Sequence, residues 1–433
     1  MGTSVRTPAP APPAVARGLP VLARNVSGRL VNDGAGIAAR IVLALALARI
    51  GDARDLGLLV LTSTIAGLAL LPAASGLDVW TAVETARRGH ATGAAVPTAD
   101  AFRLCLLTSG VVAVVLAGGG IVLGAPVVGV GAALLTLFNA PGWVIHSGFA
   151  GAGRLGLVAW GGAVEGVVAL GVGLTAVAAG GGAGGAVAGL VVGRAANLAV
   201  SAVLFARRVA PLRAPPGERG IRLLRQAIGY APMRALVVGL QRVDTVVLGV
   251  ILGTGAVGIY GAATNVTLTV PLFATAVVEA TLPRLVRDDA SEAVGGLVRI
   301  CALLSVPITL AILVGAPWLV GLAYGPGFEP AVTVLRILAL SIPLVFVSAA
   351  LAMTAVAQGA AAWRTAALGA AVITNVAVNL TLIGWLGVAG VAWATLVAEA
   401  VYAGVLLVGL RRTDVRVRFA GPWSPRAALR QVA

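Results

Sequence analysis

The stretch Gly239–Arg287, GLQRVDTVVLGVILGTGAVGIYGAATNVTLTVPLFATAVVEATLPRLVR, decides the fold of this chain. It consists of two apolar spans joined by a tight, uncharged, Gly-rich turn. Arg242 and Asp244 lie inside the first span, and Pro271 and Glu279 lie inside the second. Ionisable residues are rare in spans of this kind and usually face a cavity or a partner. We therefore interpret the stretch as the functional centre of the molecule.

The composition of the whole chain indicates a membrane protein. Of its 433 residues, 59% are hydrophobic and 11% are charged, whereas soluble domains carry about 25% charged residues. The apolar runs are continuous rather than alternating with period two, which favours transmembrane helices over a barrel. The sequence therefore predicts an all-α polytopic membrane protein.

The formal net charge of +15 would also suit a nucleic-acid-binding protein. We reject that function because the arginines cluster in short loops between apolar runs, as the positive-inside rule predicts. The chain contains no lysine, so a Walker A phosphate loop is excluded. Cys105 and Cys301 each lie at the start of an apolar span, and we expect small core residues there rather than a disulfide or a metal site.

The apolar runs predict about twelve spans, six in each half of the chain. The first six are 30–50, 57–79, 102–123, 126–147, 155–178 and 183–206. The second six are 229–252, 257–281, 297–321, 332–356, 365–386 and 388–410. Alternate loops are rich in arginine, which predicts that both termini are cytoplasmic.

These spans define the expected domain organisation. The divisions are a disordered cytoplasmic tail at 1–28, an N-lobe at 29–208, a cytoplasmic linker at 209–227, a C-lobe at 228–412 and a basic cytoplasmic tail at 413–433.

An internal repeat relates the two halves. A shift of 201 positions places Gly57 on Gly258, Asp78 on Glu279, and Arg40 on Gln241, the neighbour of Arg242. Six spans separate the copies, and an even number preserves their orientation. We therefore expect parallel repeats about an axis normal to the membrane.

Four residues are candidates for binding a substrate in a cavity between the halves. They are Arg40 on the first span and Arg234, Gln241 and Arg242 on the seventh. Guanidinium groups bind phosphate oxygens in pairs and stay charged, which suits a diphosphate. The alternatives are an arginine that extends to the membrane interface and an internal ion pair such as Arg242 with Asp244.

Four acids are candidates for gating or ion pairing: Asp33, Asp78, Asp244 and Glu279. Asp33 could couple or gate transport, or form an i,i+4 pair with Arg29. Asp78 and Glu279 could form an ion pair between the lobes, or could each bind a nearby loop arginine. A coupling-ion site needs a buried acid, and Asp33, Asp244, Glu165 and Glu399 are the candidates for it.

Arg194, Glu165 and Glu399 could each line the cavity or pair within its own lobe, and a structural role is favoured for them. The sequence carries no nucleophile–base pair, metal cluster or carboxylate pair. The loops predicted on the outer side are too short to build a catalytic site. We therefore expect neither an enzyme nor a cofactor.

Several stretches resemble the polysaccharide-biosynthesis flippases of the multidrug/oligosaccharidyl-lipid/polysaccharide (MOP) exporter superfamily. The residues DTVVLGVILGTGAVGIY at 244–260 are similar to the "D…LG..LG…VG.Y" signature that opens the second half of those proteins. Residues 324–343, 379–399 and 48–88 resemble the start of span ten, the last two helices and the first hairpin.

The resemblance implies two six-helix lobes in a V around a central cationic cavity. It also implies a plasma-membrane transporter that flips undecaprenyl-diphosphate-linked oligosaccharide by alternating access, as a monomer working with polysaccharide polymerase and glycosyltransferases. A cation-coupled multidrug or small-molecule exporter and a membrane glycan polymerase or ligase are the alternatives. Lipid II flippases usually have fourteen spans, which counts against that branch.

Overall fold

A computed structural model describes residues 14–88, 95–212, 220–267, 270, 274, 278 and 291–412, and every regular element among them is helical. The first half contains α1 Ala14–Ile50, α2 Ala53–Ala74, α3 Leu77–Arg88, α4 Ala95–Val122, α5 Pro126–Gly151, α6 Val158–Ala176 and α7 Gly182–Arg208. The second half contains α8 Gly220–Ala227, α9 Ala231–Thr267, α10 Ser291–Tyr324, α11 Pro330–Ala357, α12 Ala361–Leu386 and α13 Val388–Arg412.

The predicted fold class is confirmed by the length and hydropathy of these helices. Ten helical stretches of the described chain are long and apolar enough to cross a membrane. Two of them, Leu155–Arg208 and Gly220–Thr267, have 54 and 48 residues. A straight helix of that length would measure about 70–80 Å, more than twice the thickness of the hydrocarbon core.

Both long stretches fold back on themselves. In the first, Arg194 of α7 contacts Glu165 of α6. In the second, the Tyr260 hydroxyl lies 2.5 Å from the carboxylate of Asp244, and the chain reverses at Gly253, where φ is +81°. Glycine adopts this conformation without the penalty a Cβ would bring. The expected turn is thereby found, while the count of twelve spans stays a prediction because Pro271 and Glu279 lie outside the described residues.

The first helix begins earlier than expected. Residues 14–28 are helical, although the sequence predicts a disordered tail at 1–28. Asn25 donates a hydrogen bond to the carbonyl oxygen of Gly153 (3.2 Å) and accepts one from the backbone N–H of Gly156 (2.9 Å). These bonds tie the beginning of α1 to the connection between α5 and α6, a long-range contact that composition does not reveal.

The second span also ends earlier than expected, at Ala74 rather than near 79. Ser75 (φ +47°) and Gly76 (φ +79°) break the helix, and the chain continues as the short amphipathic helix α3. Asp78 therefore lies in the first turn of α3 and not at the end of the preceding span. The linker 209–227 likewise contains a helix, α8, whose Leu223 and Ala227 are buried.

The two halves meet mainly through α2, which packs against both arms of α9. A Cβ at Gly57 would collide with the carbonyl oxygen of Thr254, and a Cβ at Gly258 would collide with that of Ala53. Residues 53 and 254 are 201 positions apart, as are 57 and 258. The contact is therefore symmetric under the shift that defines the repeat, and small residues let the two backbones approach this closely.

The ends of the bundle are named here by one glycine each. The Gly51 end holds Gly51, Gly255 and Gly327 around a cavity of about 420 Å³. At this end Arg49 donates hydrogen bonds to the carbonyl oxygens of Leu322 and Ala323 on α10. The Gly76 end is the opposite one, where Gly76 touches the backbone of Ala227 in α8.

Candidate functional site

An arginine cluster lies where the two halves face each other. Arg40 of α1 is half-buried, and the positive charges of Arg242 and Arg194 both act on it. Its Nε atom is fully buried and has no hydrogen-bond partner among the described residues. Because the three residues come from α1, α7 and α9, the cluster draws on both halves of the chain.

Arg242 reaches this cluster by lying across α2. A Cβ at Gly67 would be 3.4 Å from the Nε atom of Arg242, so the guanidinium stem packs where α2 has no side chain. The charge of Asp244 acts on Arg242, but the Asp244 carboxylate accepts its hydrogen bonds from other groups. Gln241, the fourth predicted binding residue, is exposed, and its role in binding stays a prediction.

Asp244 is the centre of a separate buried cluster. Its carboxylate accepts hydrogen bonds from the Tyr260 hydroxyl (2.5 Å), the Thr245 backbone N–H (2.6 Å) and the Thr245 hydroxyl (3.2 Å). The Tyr260 hydroxyl also lies 3.2 Å from that of Thr395 on α13. The cluster joins both arms of α9 to α13. Tyr260 lies in the stretch that carries the family resemblance, but its contact with Asp244 requires the reversal at Gly253.

A third group connects the halves at the Gly76 end. The Nη1 atom of Arg234 lies 2.5 Å from Oδ2 of Asp78, whose side chain is buried. The guanidinium also stacks on Trp143 of α5, with its Cζ atom 4.0 Å from the ring centroid. Arg234 is a candidate for substrate binding, and no sequence pattern points to Trp143. The structure pairs Arg234 with Asp78, one of the predicted gating acids, and a role for Arg234 in substrate binding stays a prediction.

Two more of the predicted acids form ion pairs with arginines, and a third is not described. Asp33 pairs with Arg29 at 3.4 Å on an exposed face of α1, which is the i,i+4 alternative. Glu165 pairs with Arg194 at 3.0 Å, within the first half. Glu279 lies outside the described residues.

Both cysteines are free and buried, as expected. Within the described ranges, no group of three or more His, Cys, Asp and Glu residues is arranged to hold a metal ion.

Comparison with known proteins gives a partial family match. Residues 147–287 match the model of a family described as polysaccharide biosynthesis protein. These residues run from the end of α5 to the end of the opening stretch. Comparison with curated protein sequences gives no significant match.

Solved structures match over almost the whole chain. The lipid II flippase MurJ in an inward closed conformation has a TM-score of 0.70 and 12% identity, with 89% of this chain and 87% of that chain covered. An inward-facing multidrug resistance MATE family transporter has a TM-score of 0.64 and 17% identity, with 86% and 94% covered.

The chain has the fold of the MOP superfamily. The resemblance stated from the sequence is confirmed at this level by the family match and the structural neighbours together. Another MOP superfamily transporter, from Pyrococcus furiosus, has a TM-score of 0.57 and 13% identity, with 90% and 95% covered. For that protein, a reversed polarity of the binding pocket suggests a different function.

Proposed function

We propose that this membrane protein flips undecaprenyl-diphosphate-linked oligosaccharide from the inner to the outer leaflet of the plasma membrane. The observation that carries the proposal is the arginine cluster, in which Arg40 and Arg242 from opposite halves are near enough for their positive charges to repel each other. An ionised arginine inside a membrane costs about 2.5–3.5 kcal/mol on insertion scales. Two that repel each other need a compensating charge.

A diphosphate group supplies that compensation. Each guanidinium offers five N–H donors in a planar fork, and phosphate oxygens accept them in pairs. The buried Nε of Arg40 has no acceptor among the described residues, so one donor of this guanidinium is unsatisfied while no ligand is bound. The cluster therefore favours an anionic substrate, and the polysaccharide biosynthesis family match supports a lipid-linked glycan.

Alternating access accounts for the unequal contacts at the two ends. At the Gly51 end the halves are held by the symmetric glycine contact and by Arg49. At the Gly76 end they are joined by the Asp78–Arg234 ion pair and by the docking of α8. In this proposal the Gly76 end and both termini are cytoplasmic, as the arginine-rich loops predict, and the protein acts as a monomer without catalysis.

A cation-coupled exporter is the second candidate. The buried carboxylate of Asp244, surrounded by hydroxyl groups, favours it. The MATE transporters among the structural neighbours provide a precedent for the fold. The two functions differ in cargo: an exporter of cations needs acids in its cavity, whereas this cluster holds more arginine than acid.

Deleting the gene distinguishes the two candidates. Under the proposal, lipid-linked oligosaccharide accumulates on the cytoplasmic leaflet and surface polysaccharide is lost. Unchanged surface polysaccharide together with new drug sensitivity would favour the exporter instead.

The arginine cluster is tested by complementation. The double variant Arg40→Ala/Arg242→Ala should reach the membrane folded and fail to restore polysaccharide. Arg207→Ala, which removes an exposed arginine at the end of α7, is the matched control and should restore it fully. Full complementation by the double variant would remove the cationic-cavity argument.

A further inference from the structure

The Glu165–Arg194 ion pair is built asymmetrically. The Nη1 atom of Arg194 lies 3.0 Å from Oε2 of Glu165, and the side chains are 31% and 4% exposed, respectively. The carboxylate is therefore held in the interior between α6 and α7, while the arginine side chain is partly exposed. Of the two partners, only Arg194 is free to turn toward another anion.

Glu165 has a second hydrogen-bond partner besides Arg194. The side-chain amide of Asn197 donates a 2.6 Å hydrogen bond to the same Oε2 atom. Asn197 is itself held by Asn32 at 3.2 Å and by the hydroxyl of Ser201 at 3.0 Å. Loss of Arg194 would therefore leave the carboxylate oriented and still hydrogen-bonded.

The pair faces the helix that carries Arg40. A Cβ at Gly36 would lie 3.0 Å from Oε1 of Glu165 and 3.5 Å from Nη2 of Arg194. Arg40 follows Gly36 by four residues, so both lie on one face of α1. The charge of Arg194 acts on Arg40. Arg194 therefore belongs both to the ion pair and to the arginine cluster, and it lies beside α1 near Arg40.

We propose that Arg194 is a third cation of the diphosphate site, and that Glu165 is its resident counter-ion, which the diphosphate displaces. This inference rests on the proposed function and gives Arg194 and Glu165 a specific part in it. With the site empty, Glu165 neutralises Arg194 and limits its repulsion of Arg40. With a diphosphate bound, phosphate oxygens replace the Glu165 carboxylate as the acceptors of the Arg194 guanidinium.

The exchange makes the site selective. Releasing Arg194 breaks an ion pair in a medium of low dielectric constant, which only a ligand with enough charge and acceptors can compensate. A diphosphate can engage Arg40, Arg194 and Arg242 together, whereas a monophosphate has fewer acceptor oxygens to distribute among them. Because binding has to compensate for the broken Glu165–Arg194 ion pair, Glu165 favours diphosphate over monophosphate.

The test is direct binding to the purified full-length chain in detergent. Farnesyl diphosphate, farnesyl monophosphate and inorganic pyrophosphate are the three probes. Arg194→Gln should weaken farnesyl diphosphate binding about tenfold or more, the loss typical of charge-assisted hydrogen bonds. Glu165→Gln should strengthen it several-fold and reduce the preference for diphosphate over monophosphate, and the double variant should resemble Arg194→Gln.

Controls separate this role from a structural one. Glu399→Gln removes a half-buried acid of the second half and should leave binding unchanged. Arg194→Lys keeps the positive charge but lacks the forked N–H donors of a guanidinium, so it should bind farnesyl diphosphate with intermediate affinity. It provides the comparison if Glu165→Gln does not fold. Inorganic pyrophosphate that binds as tightly as farnesyl diphosphate, with the same response to Glu165→Gln, would identify the phosphates alone as the recognised group.

Three results overturn the inference. They are unchanged binding by Arg194→Gln, weaker binding by Glu165→Gln, whether or not its melting temperature also falls, and no binding by the wild-type chain. If farnesyl diphosphate binding depends on Arg40 and Arg242 but not on Arg194, this inference fails and the proposed function stands. If the wild-type chain does not bind farnesyl diphosphate, both fail.

Discussion

Asp78 and Arg234 form an ion pair that joins α3 of the first half to α9 of the second, with Oδ2 and Nη1 2.5 Å apart. The Oδ1 atom of Asp78 is buried and has no partner among the described residues. Arg234 is also stacked on Trp143. One carboxylate oxygen of Asp78 and the ring of Trp143 therefore hold Arg234. Under the proposed alternating access, this is the contact that breaks when the Gly76 end opens.

Removing one member of the pair should loosen the Gly76 end. We expect Asp78→Asn and Arg234→Gln each to lower the unfolding free energy by roughly 1–3 kcal/mol, less than for a fully buried pair because Arg234 is partly exposed. Thermal unfolding in detergent measures the change. The Arg29–Asp33 pair is the matched control, since it is exposed and Arg29→Ala should cost at most about 0.5 kcal/mol. Equal effects at the two pairs would argue against a joint between the halves.

The glycines between α2 and α9 should tolerate no side chain. Gly57→Ala and Gly258→Ala each place a Cβ against a backbone carbonyl oxygen, so both should separate the halves at the Gly51 end. The measurement is the accessibility of a thiol introduced at Arg54, which should rise in both variants by a similar amount. Gly118→Ala is the control because a Cβ there meets nothing within 4 Å. Accessibility like that of the control would refute the close contact.

The hydroxyl of Tyr260 should stabilise the fold through Asp244. Tyr260→Phe removes a 2.5 Å hydrogen bond to a buried carboxylate, and bonds to charged groups contribute about 1.5–3 kcal/mol. Thermal unfolding should show a loss of this size, while Tyr230→Phe, at an exposed position, should show none. If Tyr260→Phe left thermal unfolding unchanged, the hydrogen bond from Tyr260 to Asp244 would not contribute to stability.

Arg49 should help to close the Gly51 end. Its guanidinium donates to backbone carbonyl oxygens at the end of α10, which joins the first half to the second. We expect Arg49→Ala to raise the rate at which a thiol introduced at Pro326, an exposed residue that lines the cavity at this end, is labelled. Arg54→Ala removes an exposed arginine from the same end and should leave that rate unchanged. Similar rates in the two variants would assign the closure to the glycine contact alone.

The sequence predicts the helical class, the reversal near Gly253 and the burial of both cysteines because each depends on local composition and backbone preference. It also identifies the ionisable residues inside spans, since such residues are rare in apolar runs. Glu279 and Pro271, named for the same reasons, stay predictions because they lie outside the described residues.

The partner of each charge could not be predicted in the same way. Arg234 meets Asp78 only because Ser75 and Gly76 end α2 early and start α3, and Trp143 reaches it from α5. Arg242 lies across Gly67 of α2, while its neighbour Gln241 is exposed, because consecutive helical residues point about 100° apart. A long arginine side chain can reach several possible partners. Which of them it contacts depends on how the helices pack.

The contact between Gly57 and Gly258 also bears on how this chain arose. Gly57 meets Thr254 and Gly258 meets Ala53, and residues 53 and 254 occupy equivalent places in the two repeats. An isologous interface between identical subunits has the same reciprocal pattern of contacts. A single chain has no requirement for such self-complementarity, but two identical subunits related by a twofold axis do. At this contact the two halves of one chain are therefore related as the two subunits of a twofold homodimer would be.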